Sequence, residues 1–192
     1  HFAISKDSSK LYGYLNGVKN LETTNITSAG ANALEIGRFY NDIATYYYTG
    51  YLSDLRLVDG AALYTGSSVT VPTSLSTSVS YTDLLMHFEK ASIFDSSANH
   101  DVEVFGNAQL STAQKKFGTA SLALDGTGDF IHVKDTEDIV GPFTIECWAW
   151  ADDTTNAYMW CVGQYELEVG INGSTLRWWD GGYRNAFTSG EF

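Results

Sequence analysis

The sequence predicts an all-β protein built as an antiparallel sandwich, and three observations carry that prediction. Along Phe117–Trp150, apolar and polar residues alternate with period two between glycine-rich turns, the pattern of half-buried antiparallel strands. No stretch of useful length repeats at the helical period, and only 109–116 has room for one helical turn. The chain carries 18 Gly against 2 Pro, which suits many tight turns. Its 192 residues, 44% of them hydrophobic, suffice for a sizeable core and exclude a disordered polar chain.

Taken in order, Phe2–Ser5 and Leu11–Leu15 read as a hairpin around the polar turn 6–10, closed by Asn16-Gly17. Residues 18–33 are polar and read as loop, and Leu34–Gly37 as a short strand. Residues 41–48 read as a surface loop ending in Tyr46-Tyr47-Tyr48. Gly50–Val58 is a strand with Tyr51, Ser53, Leu55 and Leu57 on one face. The Ser/Thr-rich stretch 67–82, with Pro72, reads as a linker or an extended crossing arm. Strands follow at Leu84–Phe88 and Val102–Val104. Next come the alternating runs at Leu122–Asp125, Phe130–Lys134 and Phe143–Trp150, then strands at 157–164, 167–171 and Leu176–Trp179.

The formal charge is −12, with 11 Lys and Arg, scattered, against 23 Asp and Glu. A phosphate-binding surface needs clustered cations, so nucleic acid is not an expected partner. No apolar run approaches the roughly 18–20 residues of a membrane span, so membrane insertion is not expected. Cys147 and Cys161 read as two reduced core thiols. The alternative is a disulfide, with the two cysteines opposite each other in a hairpin centred near Thr154. His1, in place of Met and inside an apolar strand, leads to the expectation of a piece of a longer polypeptide with no leader pattern.

The run FG-x-A-S-L-x-L-D-G-T-G-D-F-I-x-V over Phe117–Val133, followed by F-T-I-E-C-W at Phe143–Trp148, resembles laminin G-like, concanavalin A-like lectin repeats. The dialect is similar to that of bacteriophage virion proteins, in tail fibres and capsid decorations. His1–Ile4, Leu11–Gly17, Leu34–Gly37 and Gly50–Thr65 resemble the second half of such a repeat, and Leu84–Gly118 resembles the opening of one. The resemblance implies an antiparallel jelly-roll β-sandwich. It divides the chain into 1–66, the second half of one repeat; 67–82, the linker; and 83–192, the first part of the next. Residues 83–192 and 1–66 then either form one permuted sandwich or two incomplete ones. Other copies and virion proteins are the implied partners, a homo-oligomer the implied assembly, and the virion surface or another extracellular setting the implied location.

Glycoside hydrolysis needs two facing carboxylates; Glu146 stands alone on its strand, and Glu166 with Glu168 matches a solvated strand face. None of His1, His87, His100 and His132 sits beside a nucleophile-elbow pattern, and no Cys/His spacing suits zinc. No enzyme is expected. Calcium is the cofactor to test, at Asp125 and Asp129 in one turn and at Asp95, Asn99 and Asp101 in another, because hard cations take oxygen ligands from such loops. Ordinary turn chemistry accounts for the same residues. Asp54 and Arg56 read as partners in a cross-strand ion pair.

Exposed aromatic residues stack on sugar rings or form interfaces, and five are singled out on that ground: Trp178, Trp179, Tyr183, Tyr46 and Tyr47. Trp148 and Trp150 share a face opposite Cys147. The leading expectation is a non-enzymatic structural and adhesion segment that contacts cell-surface glycans. The rival is a carbohydrate-binding module or adhesin repeat of a secreted bacterial protein.

Overall fold

Strands form wherever a short apolar or alternating run lies between turn formers. The computed structural model describes residues 1–24, 33–39, 46–89, 92–134, 136, 138–153, 155, 157–163, 167–173, 175–179 and 183–187; Thr175, Trp178, Trp179 and 183–187 are described by backbone alone. In chain order the strands are β1 (Phe2–Lys6), β2 (Leu11–Leu15), β3 (Val18–Thr23), β4 (Ala33–Ile36), β5 (Thr49–Asp59), β6 (Thr82–Met86), β7 (Val102–Phe105) and β8 (Gln109–Ser111). They continue as β9 (Ser121–Asp125), β10 (Phe130–Lys134), β11 (Phe143–Asp153), β12 (Ala157–Val162), β13 (Leu167–Asn172), β14 (Thr175–Trp179) and β15 (Tyr183–Phe187).

Two antiparallel sheets result. One runs β3-β2-β1-β11-β5-β9-β8, with β6 pairing the far half of β5; the other runs β15-β14-β13-β12-β4-β10-β7. β1 enters between β2 and β11, with Phe2 opposite Cys147 and Ile4 opposite Ile145. β4 lies between β12 and β10. Strands from 1–66 and from 83–187 thus share both sheets. Their inward residues close one apolar core, with Ile4, Leu52, Leu57 and Ile145 from the first sheet against Ile36, Val133, Trp160 and Val169 from the second. Each such side chain contributes about 1.5–3 kcal/mol on burial.

Asn16-Gly17 turns β2 into β3 with both residues at positive φ, 47° and 84°, which a two-residue hairpin turn of this hand requires. A Cβ on Gly17 would also stand 2.7 Å from the carbonyl oxygen of Val69. Glycine is needed there for backbone and for space.

Several expectations change. The first six residues of the loop expected at 18–33 form β3, an edge strand. Lys19 and Lys10 pair with Glu22 on its wet side, while Leu21 packs on the core. A polar edge strand reads as loop because one edge and one face remain in water; residues 25–32 lie outside the described residues. The one-turn helix allowed at 109–116 is absent, and Gln109–Ser111 pairs with β9 instead.

β5 does not keep one face. Between Ser53, opposite Trp148, and Arg56, opposite Glu146, it carries two residues where β11 carries only Cys147. Asp54 takes a φ of 54° in this bulge. The side-chain alternation flips, so Leu52, Leu55 and Leu57 all reach the core and Tyr51 and Ser53 turn outward.

Cys147 and Cys161 are both buried free thiols. They are not hairpin partners, because β11 and β12 belong to different sheets. Burial pushes the Cys147 thiol up to about 12.

The Ser/Thr-rich stretch is a crossing arm. Chain 61–79 lies over the outer face of the first sheet. The N–H groups of Leu63 and Tyr64 donate to Thr144 Oγ1 and Ser5 Oγ at 2.8 and 3.2 Å. The Val69 N–H reaches the Gly17 carbonyl at 2.8 Å. The N–H of Ser76 donates to Asp54 at 2.9 Å, and Arg56 Nη1 donates to the Thr77 carbonyl at 2.9 Å.

Candidate functional site

The arm covers the middle of the outer face but leaves one end open. β1 flanks β11 only from Phe143 to Cys147. Beyond Cys147, β11 has β5 on one side and a groove of about 310 Å³ on the other. Alternation puts Trp148 and Trp150 on the outer face, where Ser53 and Tyr51 stand directly opposite them on β5. The inner wall is apolar, with Phe2, Leu15 and Met159.

Trp148 is held from three sides. The His1 ring meets it edge-on with centroids 5.3 Å apart. Phe117 does the same at 5.6 Å, and Lys116 Nζ lies 4.0 Å from the ring centre. Lys116 and Phe117 come from the loop between β8 and β9, which Ser121 Oγ pins by donating to the Gln114 carbonyl. Trp150 is 55% exposed, and its Nε1 donates to Asp152 Oδ1 at 3.2 Å.

Three polar atoms of groove-lining residues, His1 Nδ1, Ser53 Oγ and Trp148 Nε1, are buried without a hydrogen-bond partner among the described residues. Buried polar atoms are usually paired. Here an imidazole, an indole and a hydroxyl each carry one such atom.

Behind the groove lies a buried charged cluster. Glu146, with 1% of its side chain exposed, accepts from His1 Nε2 at 2.9 Å and from the Arg56 guanidinium. The Tyr64 hydroxyl donates to it at 2.8 Å. Burial alone would raise the Glu146 carboxyl; the His1 hydrogen bond and the Arg56 charge outweigh it and hold the group below its usual range. Burial and the Glu146 carboxylate push the Tyr64 hydroxyl up. The expected Asp54–Arg56 pair is not made, because the bulge sends Asp54 to Ser76 while Arg56 takes Glu146.

Of the five singled-out aromatics, Tyr46 and Tyr47 lie outside this groove. Tyr46 packs edge-on against Phe39 and Tyr158, at 6.1 and 5.9 Å. Tyr47 forms an isolated bridge with Arg38. Trp178 and Trp179 stand opposite Val169 and Glu168 in β13, and Tyr183 stands opposite Trp179. The side chains of these three lie outside the described part, as does Glu166.

The calcium candidates are engaged as turn residues. Asp129 accepts the N–H groups of Asn107 and Asp125, at 2.7 and 3.0 Å. Asp125 caps Thr127 at 2.8 Å and meets Asn107 Nδ2 at 3.0 Å. Asp95 accepts the N–H groups of Leu85, Ser97, Asn99 and His100. Asp101 is exposed, and its carbonyl accepts from Lys134 at 3.2 Å. Asn99 Nδ2 donates to the Asp83 carbonyl at 3.0 Å. Among the described residues no group of three or more His, Cys, Asp or Glu is arranged to hold a metal.

These carboxylates set the acid limit of the fold. Burial would raise Asp95, but the Ser97 hydroxyl and the backbone donors hold it below its ordinary value. Glu146 and Asp95 therefore stabilise the fold fully above about pH 4.5, and that contribution is lost as pH falls through their depressed folded values. Asp54 runs the other way: burial raises its carboxyl, and its contribution is lost as pH rises. Urea unfolding from pH 7 to pH 3 is expected to show stability falling below about pH 4.5. Asp95→Asn should flatten that slope, and an unchanged slope would remove Asp95 from the account.

A comparison of the chain with protein-family models, with curated proteins and with solved structures finds no match.

Proposed function

We propose that this chain is a non-enzymatic structural and adhesion module that holds a saccharide in the groove beside Trp148 and Trp150. We place it among laminin G-like jelly rolls of the kind displayed on phage virions, with other copies and virion proteins as neighbours. The observation that carries the glycan part is the groove itself. Its outer wall is aromatic, and aromatic faces stack on the apolar faces of sugar rings. Its polar lining, with Asn16, Ser53 and Gln114, offers amide and hydroxyl groups of the kind that pair with sugar hydroxyls. The placement on a virion rests on the sequence resemblance and on a fold dense in short paired strands.

The test is a glycan array followed by titration of the best hit against the native protein, Trp148→Ala and Trp150→Ala. Saccharide binding is expected. Each substitution should cost at least about 2 kcal/mol, roughly thirtyfold in Kd. Binding untouched by both substitutions would move the site away from this groove. A cryo-electron microscopy map of the native assembly with Trp150 buried between copies would replace adhesion by packing.

A further inference from the structure

We infer that the groove prefers an acidic saccharide, a sugar chain bearing carboxylates, and that Lys115 and Lys116 select it. This rests on the glycan reading just given and adds the class of sugar. The chain as a whole repels anions, with 23 acidic residues against 11 Lys and Arg. The groove reverses that balance locally. Lys115 and Lys116 both line it, and no Asp or Glu does among the described residues. The nearby Asp152 does not line the groove, and its carboxylate accepts the Trp150 indole N–H.

Lys116 is also placed in advance. Its ammonium rests over the Trp148 ring at 4.0 Å, and Phe117 braces the same ring. A cation held over an aromatic face loses less side-chain freedom when an anion arrives. A sugar ring against Trp150 would have its carboxylate within the field of both ammonium groups. Its hydroxyls would meet the polar lining of the groove, which includes Asn16 and Gln114. Both lysines are exposed, so the attraction is screened by salt and modest for each.

The experiment is calorimetric titration with a galacturonate tetrasaccharide and with its carboxyl-reduced neutral counterpart, at low and at moderate salt. The native protein should bind the acidic sugar roughly fivefold to tenfold more tightly, with the margin shrinking as salt rises. The double variant Lys115→Gln/Lys116→Gln should lose the margin, so that it binds the two sugars equally. An unchanged thermal midpoint would show that this variant is folded. Lys116→Arg should retain the preference. Equal binding of the two sugars by the native protein, or a margin that survives in the double variant, would overturn the inference and leave the glycan reading standing. No binding of either sugar, with no array hit, would remove both.

Discussion

Glu146→Ala is expected to lower the unfolding free energy by about 3–5 kcal/mol, because it strands the Arg56 guanidinium beneath the arm. In the native fold the carboxylate answers His1 Nε2, the Arg56 guanidinium and the Tyr64 hydroxyl, from a side chain 1% exposed. Without it, Arg56 keeps the Thr77 carbonyl at 2.9 Å and the neutral Tyr64 hydroxyl, with 9% of its side chain exposed. The large term is the desolvated charge left behind and not the intrinsic worth of the pair. Hence the double change Glu146→Leu/Arg56→Met should recover much of the loss, since it removes both charges and keeps the volume. Urea unfolding of the two variants decides this. A single variant within about 1 kcal/mol of native would mean that water already reaches the cluster.

Trp160→Ala should be comparably severe, about 3–5 kcal/mol. Trp160 is the largest fully buried side chain among the described residues, at 0% exposure, and its strand pairs with β4 at Ile36 in the second sheet. It belongs to the core cluster that both sheets share, so the cavity left by alanine has walls that cannot collapse independently. Trp160→Phe is expected to cost far less. The indole Nε1 has no hydrogen-bond partner among the described residues, and removing an unpaired buried donor offsets part of the lost volume. Thermal unfolding of the two variants separates them. Similar losses for Phe and Ala would show that shape outweighs the stranded donor.

Most of the strands were legible because burial on one face writes itself into period two. FTIECWAW places Phe143, Ile145 and Cys147 inside and Trp148 and Trp150 outside with no further information. The edge strand β3 was not legible, since an edge with a wet face loses the apolar contrast that marks a strand. Nor was the bulge at Asp54, which a run of alternating residues conceals until its partner strand is known. The site was half visible. The two tryptophans stood out by their spacing, whereas His1, Tyr51, Ser53 and Lys116 reach them from distant stretches. Asp54 and Arg56, two apart in sequence, found different partners for the same reason. The Lys115-Lys116 pair was the one local signal available, and it gains meaning only against an acidic chain that keeps carboxylates out of the groove.

The insertion of β1 between β2 and β11 governs the order in which this fold can be made. Phe2 faces Cys147 across the sheet, so β1 waits for a partner synthesised about 145 residues later. At roughly 5–20 residues per second that wait is about 7–30 s on the ribosome. In that interval the β1–β2–β3 meander, with Ile4 and Leu15 uncovered, cannot close a core of its own, since a small isolated sheet with an open apolar face is marginal in water. Folding is therefore a late, concerted event with high contact order, slow by the standard of small domains. During the wait β1 presents a bare apolar edge to any neighbouring nascent chain that carries a copy of β11.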